Sequence, residues 1–253
     1  MNSIVCIKRV PDITSATLKI DAENRKLDDG NLVFSINEAD NYALEEALLL
    51  QEEFGGEITL ISVGPKECDD IIRMGLAKGA TRGIRITPDN LYKLDPYAIA
   101  NLIAEQIKEL EYDLIFTGCM ANDDNFGQLG VTLAGLLNIP HISLAVKIQA
   151  NEDYAIIDRE LEGGLMEQFN IKFPAVITIQ TGINEPRYAS IFGIKRASKK
   201  EIRFVENISA QGIKVHTEKM YLPPPGDTAE IFTGNPEETA EKVYEILKTK
   251  GLI

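Results

Sequence analysis

The segment Phe116-Thr117-Gly118-Cys119-Met120-Ala121-Asn122-Asp123-Asp124-Asn125-Phe126-Gly127-Gln128-Leu129-Gly130 leaves an apolar strand pattern and enters a helical one. A helix start offers unpaired backbone N–H groups and partial positive charge, which suits a phosphate. Gly127 and Gly130 would let a ligand approach the backbone closely. In open α/β sheets, ligands sit outside the carboxyl ends of the strands, where this turn falls. Against this, the spacing is neither GxGxxG nor a Walker loop. Asp123 and Asp124 also repel a phosphate unless they face a ribose or cap the helix. From spacing alone, a nucleotide turn and an ordinary strand–helix turn with acidic caps both stay open.

The second candidate runs from Thr181-Gly182-Ile183-Asn184-Glu185-Pro186-Arg187 through Tyr188-Ala189-Ser190-Ile191-Phe192-Gly193-Ile194 to Lys195-Arg196. Ile183, Tyr188, Ile191 and Phe192 stand in a loop-like setting, and Lys195, Arg196, Lys199 and Lys200 follow. Apolar residues rimmed by charge suggest a docking surface. A loop tucked onto the core with a basic helix end has the same composition.

Other chemistry is hard to assemble. His141 reads as a strand-start residue and His216 as a surface one. Cys6, Cys68 and Cys119 are odd in number, far apart and without CxxC spacing, so metal, cluster and disulfide readings are weak. No nucleophile–base pair stands out.

The positioning elements alternate through the first half. Strand patterns occupy 3–8, 57–63, 82–87, 113–117 and 141–148. Helical patterns lie between them: one after Asn37 that stops at Gly55-Gly56, one at 65–78, one from Asp95-Pro96, and one at 124–137. This order predicts an open, mainly parallel, Rossmann-like sheet with helices on both faces. Asp28-Asp29-Gly30 suits a hairpin between 17–20 and 32–34. A second hairpin joins 154–161 to 165–173 through Glu162-Gly163-Gly164, and 174–180 is one more buried strand. Tyr221-Leu222-Pro223-Pro224-Pro225-Gly226 reads as a stiff linker to a terminal helix at 236–250. The expected organisation is an α/β domain over 1–220 and an arm over 221–253. That arm either packs on a partner or folds back.

Hydrophobic residues make up 44% of the 253 residues and charged ones 26%, as in ordinary globular proteins. The net charge of −13 makes nucleic acid an unexpected partner. No stretch has the roughly 20 apolar residues of a membrane helix. The amino terminus lacks a leader pattern, so a cytoplasmic location is expected.

These segments together resemble the electron-transfer flavoprotein β subunit along nearly the whole chain. Val5-Cys6-Ile7-Lys8-Arg9-Val10-Pro11-Asp12 resembles that family's opening strand and loop, and Ile36-Asn37-Glu38-Ala39-Asp40 its second nucleotide-contacting turn. Asp158-Arg159-Glu160-Leu161-Glu162-Gly163-Gly164 and Phe173-Pro174-Ala175-Val176-Ile177-Thr178 resemble its hairpin and strand. Asn184-Glu185-Pro186-Arg187-Tyr188-Ala189-Ser190 is the most specific stretch.

The resemblance implies a heterodimer with an α subunit that holds most of the contacts to an FAD. It also implies AMP in the β subunit or, in electron-bifurcating members, a second FAD reduced by NADH. Electrons would pass between flavin dehydrogenases, such as acyl-CoA dehydrogenases, and a quinone reductase or other acceptor. Carried over by position, the nucleotide contacts are Cys6, Asn37, Glu38, Ala39, Asp40 and Val63. They continue through Asp123, Asp124, Asn125, Phe126, Gly127, Gln128, Leu129, Gly130, Val131, Thr132, Leu133 and Ala134. Tyr188, Ile191, Phe192, Ile194 and Lys195 would form the loop that anchors on the dehydrogenase, and the terminal arm would pack on the α subunit. Bifurcating members typically carry Asp-Gly-Asp-Thr where this chain has Asp123-Asp124-Asn125-Phe126, and the added bulk favours AMP over a flavin. Ile191 replaces a common Leu, and Phe192-Gly193 replaces a common Pro-Asn or Pro-Gly, which implies an altered partner pocket. A nucleotide sensor of the universal-stress type shares the α/β pattern. The hairpin, the Asn-Glu-Pro-Arg-Tyr loop and the proline-linked tail argue against it.

Overall fold

The computed structural model describes residues 1–13, 18–21, 27–224, 226 and 229–253, and Tyr92 by its backbone only. They divide into two units, Met1–Lys219 and Met220–Ile253. In chain order the strands are β1 (Ser3–Cys6), β2 (Arg9–Pro11), β3 (Phe34–Ile36), β4 (Ile58–Val63), β5 (Arg82–Pro88) and β6 (Leu114–Gly118). They continue with β7 (His141–Ala150), β8 (Tyr154–Glu160), β9 (Met166–Lys172), β10 (Ala175–Ile179) and β11 (Ile202–Ile208). The helices are α1 (Glu38–Phe54), α2 (Cys68–Lys78), α3 (Pro96–Ile107), α4 (Leu129–Leu137), α5 (Ile191–Ala197) and, in the second unit, α6 (Pro236–Thr249).

Among the described residues the main sheet has nine strands in the order β11-β5-β4-β1-β6-β10-β7-β8-β9. Every pairing from β11 to β7 is parallel, and β7, β8 and β9 pair antiparallel. The apolar runs form the centre because they are covered on both faces. Val5 and Ile7 of the β1 segment face a core with Leu44 and Leu48 of α1 and Ile72 of α2. Ile4 and Cys6 face a core with Ile103 of α3 and Leu133 of α4. Each fully buried Ile or Leu stabilises the fold by roughly 1.5–3 kcal/mol relative to exposure.

The chain runs from β1 outward through β4 to β5, then crosses back to β6 on the other side of β1. The carboxyl ends of β1 and β6 therefore flank the point where the winding reverses, the usual ligand position in such sheets.

Several expectations change in detail. The segment 32–34 does not pair with 18–20. Phe34 belongs to β3, antiparallel to β2, under the Arg9 guanidinium at 3.6 Å. The bridge near Asp28-Asp29-Gly30 joins Ile20 to Leu27, and Thr17 lies outside the described residues. Helix α4 starts at Leu129 rather than near 124, because Asn125 (φ 56°) and Gly127 (φ 60°) hold left-handed backbone that interrupts a helix. Helix α2 starts at Cys68 rather than at Pro65. The docking segment contains a short helix, α5, and β11 is a further strand on the edge, with four of its seven residues exposed. The expected hairpin is present as β8 and β9, turning through Gly163 (φ 78°) and Gly164 (φ 75°). Asp95 caps α3 as expected, accepting from Ala98 N at 2.8 Å. In the second unit, Asn235 caps α6 by accepting from Glu238 N at 2.8 Å. Among the described residues no helix is long and apolar enough to cross a membrane.

Candidate functional site

A cleft of about 700 Å³, counting the space at its open mouth, lies at the switch point. Its floor is the end of β1 (Cys6, Ile7, Lys8) and of β4 (Ile61, Val63). One wall is the first turns of α3, with Pro96, Ile99 and Ile103. The other is the loop from β6 to α4, with Thr117, Gly118, Cys119, Met120, Ala121, Asp124, Phe126, Gly127, Gln128 and Leu129. The size falls within the range of small-molecule sites, and apolar walls with a few polar groups are typical of them.

The end of β10 holds the loop at Cys119, whose N–H donates to Ile179 O at 2.9 Å, and three further attachments come from the end of β1 or the start of α1. Gly118 N donates to Asp40 Oδ1 at 2.9 Å. Asn37 Nδ2 donates to Met120 O at 2.9 Å, and its Oδ1 accepts from Asn122 N at 3.0 Å. Lys8 Nζ donates to Asp123 Oδ1 and Asp124 Oδ2, each at 2.7 Å. Asn37 stands at the expected N-cap position of α1, but its side chain does not cap the helix. It is fully buried and is committed to the loop instead.

Asp40 also accepts from Lys8 N at 2.8 Å. Burial pushes its carboxyl up to about 6, against the opposing pull of those backbone N–H groups and of Lys8. Burial lowers the Lys8 ammonium, but Asp123 and Asp124 outweigh it and hold the group above its usual range. Burial, then Asp40, raises the Cys6 thiol, and burial raises Cys119, so both stay protonated. Neither is a nucleophile at neutral pH.

The close approach of β6 to α1 requires glycine at 118. A Cβ there would fall 2.4 Å from Asp40 Oδ1 and 2.8 Å from Ala39 Cβ. Gln128, at the N-cap position of α4, makes no side-chain cap, and both it and Leu129 line the cleft. The first N–H groups of an α-helix have no partner within it, so the start of α4 carries donors of the kind that suit an anion.

Of the residues read from sequence, Cys6, Asp40, Val63, Asp124, Phe126, Gly127, Gln128 and Leu129 line the cleft. Asn37, Ala39 and Asp123 brace it from behind. Glu38 is exposed, and Asn125 turns the chain. Gly130 is used for packing, since a Cβ there would meet Thr178 Cγ2 at 2.4 Å and Thr117 Oγ1 at 2.8 Å. Val131 is exposed, Thr132 half-buried, and Leu133 and Ala134 belong to the core shared with α3. Sequence reasoning missed Lys8, Ile61 and the α3 wall, whereas Thr117 to Ala121 stood in the first candidate segment but not among the contacts carried over by position. The available signal was position: Lys8 follows β1, Ile61 lies in the second half of β4, and the α3 wall begins at the Asp95-Pro96 helix start.

The second segment is mounted on α1. Asn184 Nδ2 donates to Tyr42 O at 3.1 Å and to Glu46 Oε2 at 3.0 Å. Arg187 Nε and Nη2 donate to Glu45 Oε1 at 2.9 and 2.7 Å, and Arg187 Nη1 donates to Glu52 at 2.5 Å. The hydrogen bonds that it donates to both glutamates hold the guanidinium above its usual range. Beyond this mount, Tyr188, Ile191 and Phe192 are 97%, 84% and 79% exposed. Ile194 is half exposed, and Lys195 is exposed beside it. Ser190 caps α5 by accepting from Gly193 N at 3.0 Å. Gly193 sits so close to the end of α2 that a Cβ would lie 2.2 Å from Ala77 O.

A doubly wound parallel sheet with an uncapped helix start at its switch-point cleft defines an α/β protein of the Rossmann-like class. Residues 26–210 match the family described as the electron transfer flavoprotein domain. The chain is 34% identical to the electron transfer flavoprotein subunit beta of Bacillus subtilis (strain 168), with all of both chains covered. It is 33% identical to the subunit of that name from Methylophilus methylotrophus, covering 98% of each, and 32% identical to that of Homo sapiens, covering 99% of this chain and 98% of the other. The chain belongs to the electron transfer flavoprotein β-subunit family.

Proposed function

We propose that this chain binds AMP in the switch-point cleft and works in the cytoplasm as the β half of a heterodimer. Its α partner holds most of the contacts to an FAD. When bound, that flavin supplies the electron chemistry between a flavin dehydrogenase, such as an acyl-CoA dehydrogenase, and a quinone reductase or other acceptor. This chain's own residues bind, orient and dock.

The observation that carries the reading is the uncapped start of α4 opening into an apolar-walled cleft. The backbone N–H groups at Gln128 and Leu129 suit one phosphate. Val63, Ile99 and Leu129 offer apolar surface for an adenine. Phe126 and the turn at Asp123 and Asp124 narrow the space that an isoalloxazine ring needs, which supports AMP over a second FAD. The exposed Tyr188, Ile191, Phe192 and Ile194 on their rigid mount support the docking role, since binding energy concentrates in buried aromatic and aliphatic anchors. The terminal unit from Met220, with its half-exposed Val243 and Tyr244, is suited to pack on the α subunit.

The test is a reductive titration of the purified heterodimer. Acyl-CoA with its dehydrogenase should bleach the flavin, and NADH should not. Bleaching of a second flavin by NADH would replace this reading with the bifurcating one.

A further inference from the structure

Asp123 and Asp124 stand at the turn that leads into α4, and Asp124 lines the cleft. Two adjacent carboxylates there oppose the anion that the helix start favours. Lys8 resolves the conflict. Its ammonium lies 2.7 Å from a carboxylate oxygen of each aspartate, and its side chain is 34% exposed, so the pairing is partly screened from solvent. The same residue's backbone N–H is held by Asp40 Oδ2 at 2.8 Å, and Asp40 Oδ1 holds Gly118 N at 2.9 Å. Lys8 therefore ties the end of β1 to the middle of the loop directly and, through Asp40, to its start at Gly118. Its ammonium is already engaged by two carboxylates.

We infer that Lys8 is a positioning residue for the phosphate of the cleft's ligand: its ammonium neutralises Asp123 and Asp124 and fixes the loop, without itself gripping the phosphate. The inference rests on the reading that the cleft takes a nucleoside monophosphate. Removing the ammonium leaves two uncompensated negative charges beside the phosphate and frees the turn. Removing the carboxylates as well abolishes that repulsion. A lysine that gripped the phosphate directly would not be rescued in this way.

The experiment uses the intact heterodimer with its FAD, and equilibrium dialysis against labelled AMP and, separately, labelled adenosine. Lys8→Met should weaken AMP by about tenfold or more and change adenosine little, because the nucleoside carries no charge. Adding Asp123→Asn and Asp124→Asn to Lys8→Met should bring AMP to within about threefold of the unmodified protein. Co-purification with the α subunit and an unchanged circular dichroism spectrum report that each variant has folded. Unchanged AMP affinity in Lys8→Met overturns the inference while leaving the AMP reading intact. Weak AMP binding that the two asparagines fail to restore overturns it in favour of direct contact. Equal loss of AMP and adenosine overturns it in favour of a purely structural lysine. Failure of the unmodified heterodimer to bind AMP removes the reading itself, and the inference falls with it.

Discussion

Arg187 grips Glu45 through Nε and Nη2, at 2.9 and 2.7 Å from the same carboxylate oxygen, and its backbone N–H donates to the other at 2.9 Å. The two residues are 142 positions apart in sequence. Glu45 lies on α1, whose first turn also holds the cleft loop through Asn37 and Asp40. One helix thus braces both the candidate nucleotide cleft and the exposed docking side chains.

The pairing is unequal in burial, and this sets the first prediction. The Glu45 side chain is 5% exposed and that of Arg187 is 31% exposed. Arg187→Ala strands a buried carboxylate and should cost about 2–4 kcal/mol of stability. Glu45→Ala leaves a guanidinium that water and Glu52 can still reach, and should cost about half as much. Urea unfolding of the heterodimer gives both values. Equal or reversed costs would show that the fork is not a buried brace.

Asp40 gives the second prediction. Its carboxyl is raised to about 6, so between the unfolded value near 3.8 and that value the folded state holds a proton that the unfolded state has lost. The stability this contributes is fully present below the unfolded pKa and is lost as pH rises through 6. On acidification from pH 7 to pH 5, the protein should gain roughly 1–1.5 kcal/mol relative to its Asp40→Asn variant. Denaturant midpoints of both proteins at the two pH values provide the check. A difference that shrinks on acidification means that Asp40 is held ionised and the assigned balance of burial against hydrogen bonding is wrong.

Gly118→Ala is the third. The new methyl has no room beside Asp40 and Ala39, so the start of α1 must move off β6. The expected loss is about 1–3 kcal/mol, as for other overpacked sites. It should be accompanied by faster nucleotide release, measured by chase with unlabelled AMP, because the same contact holds the cleft loop. A variant that matches the parent in melting temperature and release rate would remove Gly118 from the account.

Much of this was legible in the sequence, for physical reasons that differ by element. The apolar strands announced themselves because strands covered on both faces need continuous apolar side chains, as in Ile58–Val63 and Ala175–Ile179. The Asp95-Pro96 cap and the Gly163-Gly164 turn were readable because their conformational demands are local. The boundary of α4 was misjudged because Asp123 and Asp124 read as acidic caps, whereas the chain makes a turn with left-handed backbone at Asn125 and Gly127 first. Strand β11 escaped notice since an exposed edge strand carries charges such as Arg203 and Glu206. Lys8 escaped because its partners are 115 and 116 residues away, and no periodicity encodes a pairing at that range. Gly130 was read as space for a ligand when its small size serves helix–sheet contact, a difference that only the tertiary structure can make.

The most direct test of the central claim is a nucleotide count. The heterodimer is purified, denatured, and its released cofactors are separated and quantified against protein. The account predicts one FAD and one AMP per heterodimer, with the AMP lost when the loop between β6 and α4 is disrupted and the FAD retained. Two flavins and no AMP per heterodimer would contradict it.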